Sequence, residues 1–105
     1  MEGKNFGMEL RKAGCAGTLE SSDIMITIHP GNGEGIEIVL ESPAKQQFGK
    51  AINSAITESL MAIGVHSALV EAKDRGALDC TIKARTETAA LRAAEMDDDE
   101  VRAKK

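Results

Sequence analysis

The strongest pattern in the chain begins after Asp23. Ile24, Ile26 and Ile28 alternate with Met25, Thr27 and His29, the period of two that a half-buried strand imposes. Pro30 ends the run, and Gly31-Asn32-Gly33-Glu34-Gly35 follows with backbone free to turn. Ile36, Ile38 and Leu40 then alternate with Glu37, Val39 and Glu41. Two alternating runs across a glycine-rich break predict an antiparallel hairpin with one face on a core. Ser42-Pro43 has the form of a helix start, with Ser as the cap and Pro at the first helical position. Beyond it, Phe48, Ala51, Ile52, Ala55, Ile56, Ser59, Leu60 and Ile63 recur near spacings of three and four. That predicts an amphipathic helix closed by an αL cap at Gly64. Burial of Phe48, Ile52, Ile56 and Leu60 is expected to contribute roughly 1.5–3 kcal/mol each, before the entropy cost.

Residues 65–73 and 77–83 read as a second hairpin across Asp74-Arg75-Gly76, with Ala68, Val70 and Ala72 facing inward in one strand and Leu78, Cys80 and Ile82 in the other. A weaker, alanine-rich helix runs from about Ala84 to Met96, whereas Gly14 to Asp23 is small, polar and without period, and reads as a loop. The order strand, strand, helix, strand, strand, helix predicts an α+β fold. It is a two-layer sandwich in which a four-stranded, mainly antiparallel sheet of two hairpins carries two helices on one face. The expected organisation is a flexible N-terminal arm over 1–16, one folded domain over 17–96 and a disordered charged tail over 97–105.

Composition narrows the function classes. A chain of 105 residues supports one modest core. Phe6 and Phe48 are its only aromatic residues, so the core is aliphatic and base-stacking platforms for nucleic acid are lacking. A net charge of -4 also opposes a phosphate-binding surface. No apolar run approaches the ~20 residues of a membrane-spanning helix and no signal-like apolar stretch is present, so the expectation is a cytoplasmic protein with neither nucleic acid nor membrane as partner. Cys15 and Cys80 lie far apart, as suits free thiols.

No local motif supplies catalysis. His29, His66, Cys15 and Cys80 lack the close spacing of zinc ligands, which leaves no metal site. The Gly31–Gly35 run has no Lys-Ser/Thr and joins two strands, so it is a turn and not a phosphate loop. A hydrolase using Ser21 with His29 or His66 has no supporting motif. Charge is more informative. Residues 17–43 hold five acids and no Lys or Arg, while the rest of the chain sets twelve acids against thirteen bases. Such a stretch is either a solvated outer sheet face or a docking face for a basic partner.

The same stretch carries a resemblance. Gly17-Thr18-Leu19-Glu20-Ser21-Ser22-Asp23 before Ile24-Met25-Ile26 resembles the N-terminal motif of the citrate lyase acyl carrier family, the gamma subunits of that enzyme. Lys45-Gln46-Gln47-Phe48-Gly49 and Arg75-Gly76-Ala77-Leu78-Asp79-Cys80, with Lys83-Ala84-Arg85, resemble its later segments. The resemblance implies that 17–96 is an acyl carrier domain with no catalytic residue of its own. It implies that Ser21 carries 2'-(5''-phosphoribosyl)-3'-dephospho-CoA through a phosphodiester, with Ser22 standing where the family commonly has Gly. It further implies citrate lyase alpha (transferase) and beta (lyase) subunits and a prosthetic-group transferase as partners. Acetyl and citryl thioesters would ride on the arm during cleavage of citrate to acetate and oxaloacetate. The alternatives are a carrier subunit of malonate decarboxylase and, in another class, a small ligand-binding or regulatory domain. Independently of the resemblance, a serine that a transferase must reach belongs on an exposed loop, which Gly14 and Gly17 are expected to loosen.

Overall fold

The computed structural model describes residues 8–95; the expected tail over 97–105 and residues 1–7 of the expected arm lie outside them. The strands are β1 (Gly14–Ala16), β2 (Ile24–Pro30), β3 (Ile36–Glu41) and β4 (Ala68–Asp74), and the helices are α1 (Lys45–Ala62) and α2 (Asp79–Ala93). They form one sheet in the order β1-β2-β4-β3. Ile24, Ile26 and Ile28 of β2 point the same way as Ala68, Val70 and Ala72 of β4, and all six are buried beneath the two helices. The inward set of the strands is therefore the one their alternation predicts. Ile52, Ala55, Ile56 and Leu60 of α1 and Ile82, Ala89 and Ala90 of α2 complete this aliphatic core.

The α+β class and two-layer arrangement hold, but the sheet is mixed where two hairpins were expected. β3 does not pair with β2. It pairs in parallel with β4, matching Ile38 with Val70, while β4 separates it from β2. The Gly31–Gly35 segment is thus an arch over the start of β4. The Gly33 N–H donates to Ser67 Oγ at 2.8 Å, and the Ala68 N–H donates to the Gly35 carbonyl at 3.1 Å. Two interstrand steps of about 4.8 Å each lie well within the reach of five residues. Periodicity assigns each strand its inner face and says nothing about its neighbour.

The second expected hairpin is also corrected. Residues 68–74 are a strand, but from Asp79 the chain is helical. Leu78 and Ile82 fit alternation and an i, i+4 step equally well. In the fold Ile82 is buried, Leu78 is exposed, and Thr86, Ala89, Ala90 and Ala93 continue the helical face. The fourth strand comes instead from Gly14–Ala16, a stretch read as loop within the expected arm, whose three residues are too short to show a period. It is held at the sheet edge by β2 and from behind by α2, where Arg92 Nη1 donates to the Cys15 carbonyl at 2.8 Å. The remaining elements β2, β3, α1, β4 and α2 follow in the expected sequence.

Helix α1 starts two residues beyond the expected first helical position, Pro43. Ala44 is its N-cap without a side-chain cap bond, and Gly64 follows Ile63 at φ +88, as expected of a cap glycine. Phe48 was expected in the core but is exposed, because Gly49 occupies the inner face beneath Leu40. No helix of the described residues is long and apolar enough to cross a membrane.

Candidate functional site

The antiparallel pairing of β2 with β4 brings three connections to one end of the sandwich. These are the β1–β2 loop with Ser21, the Ser42-Pro43 turn into α1, and the Arg75–Leu78 segment into α2. Ser21 is exposed within a four-residue turn closed by the Asp23 N–H donating to the Glu20 carbonyl at 3.1 Å. Ser22, the third residue of that turn, has φ +66, the left-handed region that a type II turn demands and glycine occupies most easily. The Ser22 N–H donates to the Arg75 carbonyl at 2.7 Å, and the Arg75 N–H donates back to the Asp23 carbonyl at 2.9 Å.

Asp23 is the hub of this loop. Arg85 grips its carboxylate with two parallel bonds, Nε to Oδ1 at 3.0 Å and Nη2 to Oδ2 at 2.9 Å. The Thr18 hydroxyl donates to Oδ2 at 2.7 Å and accepts from the Glu20 N–H at 3.1 Å, while the Ile24 N–H donates to Oδ1 at 2.7 Å. The Arg85 guanidinium, then the Thr18 hydroxyl and the Ile24 amide, hold the Asp23 carboxyl well below the usual carboxylate range. In return Asp23 raises the pKa of Arg85. The loop is therefore pinned, not loosened as expected. Gly14 lies in the buried strand β1, and at Gly17 the backbone takes φ +97 with the position of a Cβ only 1.8 Å from the Ile24 carbonyl oxygen.

A second carboxylate ties the remaining connections. Asp74 is 2% exposed and accepts bonds from Ser42 Oγ at 2.8 Å and from the Gly76 and Ala77 N–H groups at 3.1 and 2.9 Å. Its burial is compensated by neutral donors. Sequence reasoning placed Asp74 and Arg75 in a hairpin turn and gave Arg85 no structural role. Apart from the Gly76 and Ala77 amides beside Asp74, their side-chain partners Ser42, Glu41 and Asp23 lie 32 to 62 positions away, so no local spacing reveals those bonds. The acidic 17–43 stretch is likewise partly neutralised from elsewhere: Arg85 meets Asp23, and Arg75 Nη2 meets Glu41 at 3.1 Å.

The other candidate groups lie apart. His29 sits five residues along β2 from Ile24, about 16 Å away at ~3.3 Å per residue, where it faces Glu71 at 3.4 Å. His66 precedes the start of β4, which pairs with Pro30 at that same far end. Neither reaches Ser21, so no Ser-His pair forms. Cys15 and Cys80 are exposed free thiols. Among the described residues, no group of three His, Cys, Asp or Glu side chains converges on a point that would hold a metal.

Comparison with known proteins bears on what this end of the molecule does. A family model described as ACP: Malonate decarboxylase delta subunit (MdcD) matches residues 11–93. The chain is 52% identical over 90 residues to a citrate lyase acyl carrier protein of Streptococcus mutans, spanning 86% of this chain and 88% of that one. It is 53% identical over 88 residues to a citrate lyase acyl carrier protein 2 of Salmonella typhi, spanning 84% and 91%. Among solved structures, a chain in the crystal structure of a Pseudomonas malonate decarboxylase hetero-tetramer in complex with malonate superimposes with a TM-score of 0.70. That match covers 83% of this chain and 89% of the other at 16% identity, a likeness of fold alone.

Proposed function

The chain belongs to the family of citrate lyase acyl carrier proteins, and on that premise we propose that Ser21 is the point at which it is loaded. Its function is that of an acyl carrier subunit, and carriers of this family hold the acyl group on a prosthetic group. The observation that carries Ser21 is its position: an exposed hydroxyl on a turn whose neighbours Ser22 and Asp23 are both bonded to the β4–α2 connection. A modifying enzyme thereby meets one defined serine instead of a sweeping loop, the positioning an in-line attack on phosphorus needs. On loading, the Ser21 hydroxyl gives up its proton to the modifying enzyme, and its oxygen forms the ester bond as the phosphate's leaving group departs.

The group proposed is 2'-(5''-phosphoribosyl)-3'-dephospho-CoA, whose terminal thiol supplies the thioester chemistry. The protein fits such a group in that Ser21 is exposed, as the attachment point of a bulky stalk must be. Cys15 and Cys80 need no activation in this scheme. The chain itself is non-catalytic; a transferase subunit exchanges acetyl for citryl, and a lyase subunit cleaves the citryl thioester to oxaloacetate and the acetyl form. Both imidazoles sit at the opposite end of β2 from Ser21, which supports a carrier over a hydrolase. The malonate decarboxylase alternative has a distant likeness behind it.

Intact mass and peptide mapping over residues 13–45 of the protein from its native host test this reading. Ser21→Ala is expected to abolish the adduct and Ser22→Ala to retain it. An adduct that survives Ser21→Ala and vanishes in Ser22→Ala overturns the assignment.

A further inference from the structure

The groove where α1 meets the β4–α2 connection has no part in the chemistry above. It encloses about 400 Å³ and is lined chiefly by Ala44, Phe48, Ala51, Ala77, Leu78 and Ile82, a size within the roughly 300–1,000 Å³ of small-molecule sites. Two of its side chains stand in water, Phe48 at 56% exposure and Leu78 at 70%. Phe48 is the only Phe, Tyr or Trp among the described residues, and it presents its flat π-face outward.

The groove's lining carries no Lys or Arg. Asp74 lines it, but its carboxylate is occupied by Ser42, Gly76 and Ala77. Asp79, at the rim, pairs with Lys83 at 3.7 Å. A flat, uncharged ring matches this lining, whereas a phosphate finds no free cation among the lining residues. Position adds the rest: the Arg75 carbonyl accepts from Ser22, and the next three residues, Gly76, Ala77 and Leu78, form the groove's edge.

Resting on the reading that Ser21 carries the dephospho-CoA-type group, we infer that this groove docks the adenine base of the chain's own prosthetic group, stacked on Phe48 and held against Leu78. In that group the adenosine adjoins the phosphoribosyl linkage, so its base is the part of the arm nearest Ser21 that has a π-face. Stacking on an aromatic side chain needs no pattern of hydrogen bonds. A tethered base samples its site at an effective concentration on the order of millimolar, so a weak contact suffices. Docking the base pins the stem of the arm and leaves the pantetheine end free to travel between partner sites.

The test is NMR of the modified full chain, verified by intact mass, against the unmodified chain. Modification is expected to shift the Phe48 ring and Leu78 methyl resonances and to move the adenine ring protons upfield of those in free dephospho-CoA. Phe48→Tyr keeps the upfield shift. Phe48→Leu, a change at an exposed site that preserves apolar bulk, abolishes it with the adduct mass unchanged. Adenine protons at their free positions, with Phe48 and Leu78 unmoved, overturn the docking; a response of those two residues to added transferase subunit instead assigns the groove to a partner. A native-host chain without an adduct, or with one lacking purine absorbance, overturns both this inference and the loading scheme beneath it, and the mass measurement alone identifies that failure.

Discussion

The two connections at the ends of β2 look alike in composition and are held by opposite means. Residues 17–23 lead into the strand and residues 31–35 lead out of it; both are polar and contain glycine. The first is a hairpin loop organised by a side chain, with Asp23 collecting Arg85, Thr18 and the Ile24 amide. The second is organised by close approach to the segment before β4: the Gly33 N–H donates to Ser67 Oγ, and a Cβ at Gly31 would lie 2.3 Å from Ser67 Oγ and 2.5 Å from the Ala68 nitrogen. A charged hub fixes one serine at the tip of its loop, while a close crossing only carries the chain over β4. Glycine marks where the backbone must pass near something, and it leaves open whether the connection is a hairpin or an arch.

Filling the two glycines separates these roles most forcefully. Gly17→Ala forces a Cβ into the Ile24 carbonyl at positive φ, and its expected cost is about 3 kcal/mol or more. At Gly31 the Ser67 side chain can turn away but the Ala68 backbone cannot, so Gly31→Ala is expected to cost about 2 kcal/mol. Urea midpoints measure both. Rates of prosthetic-group attachment to the folded fraction then sharpen the contrast: Gly17→Ala lowers the rate, and Gly31→Ala leaves it at the wild-type value. Equal effects on attachment would mean that the pinned loop does not matter for loading.

This contrast also marks what the sequence makes legible. The inward faces of β2, β3 and β4 follow from alternation, because Ile24, Ile26, Ile28, Leu40, Val70 and their neighbours bury one face of the sheet whatever the strand order. Strand order does not follow, because β4, which pairs with both β2 and β3, comes after α1. The proposal of Ser21 comes from a resemblance, since a serine in a polar loop has no local signature. The Arg85–Asp23 and Asp74–Ser42 bonds are invisible for a different reason: each joins groups that the fold alone brings near. Phe48 was misplaced by one helical position, about 100° of rotation.

Removing the hub is expected to have a smaller effect on the whole fold and a clear one on the loop. With its pKa depressed in the folded state, Asp23 contributes stability that is fully present above its unfolded value near pH 4 and is lost as the pH falls through the lower folded value. The difference in urea stability between wild type and Asp23→Asn is therefore constant from about pH 7 to about pH 5 and shrinks below about pH 4. A difference that grows on acidification would show that the carboxylate is not the group held. At neutral pH the same variant is expected to slow attachment at Ser21. Arg85→Lys, which keeps the charge and loses the two-pronged grip, falls between it and wild type.

The finest distinction concerns position 22. Ser22 adopts φ +66 with its N–H bonded to Arg75, so a side chain occupies a conformation that costs an L-residue roughly 1–2 kcal/mol. Glycine relieves that cost and returns part of it through the greater freedom of the unfolded chain. Ser22→Gly is therefore expected to stabilise the protein by about 0.5–1 kcal/mol, read as a higher urea midpoint at unchanged slope. The Ser22 side chain takes no part in the bonds that hold the loop, which use its backbone, Asp23 or Thr18, so attachment at Ser21 is expected to continue at the wild-type rate. Lost stability in Ser22→Gly would mean that the serine hydroxyl contributes a bond worth more than the strain it brings. The loop would then depend on the Ser22 side chain as well as on Thr18, Asp23 and Arg85, and its contrast with the arch that passes close over β4 would be sharper still.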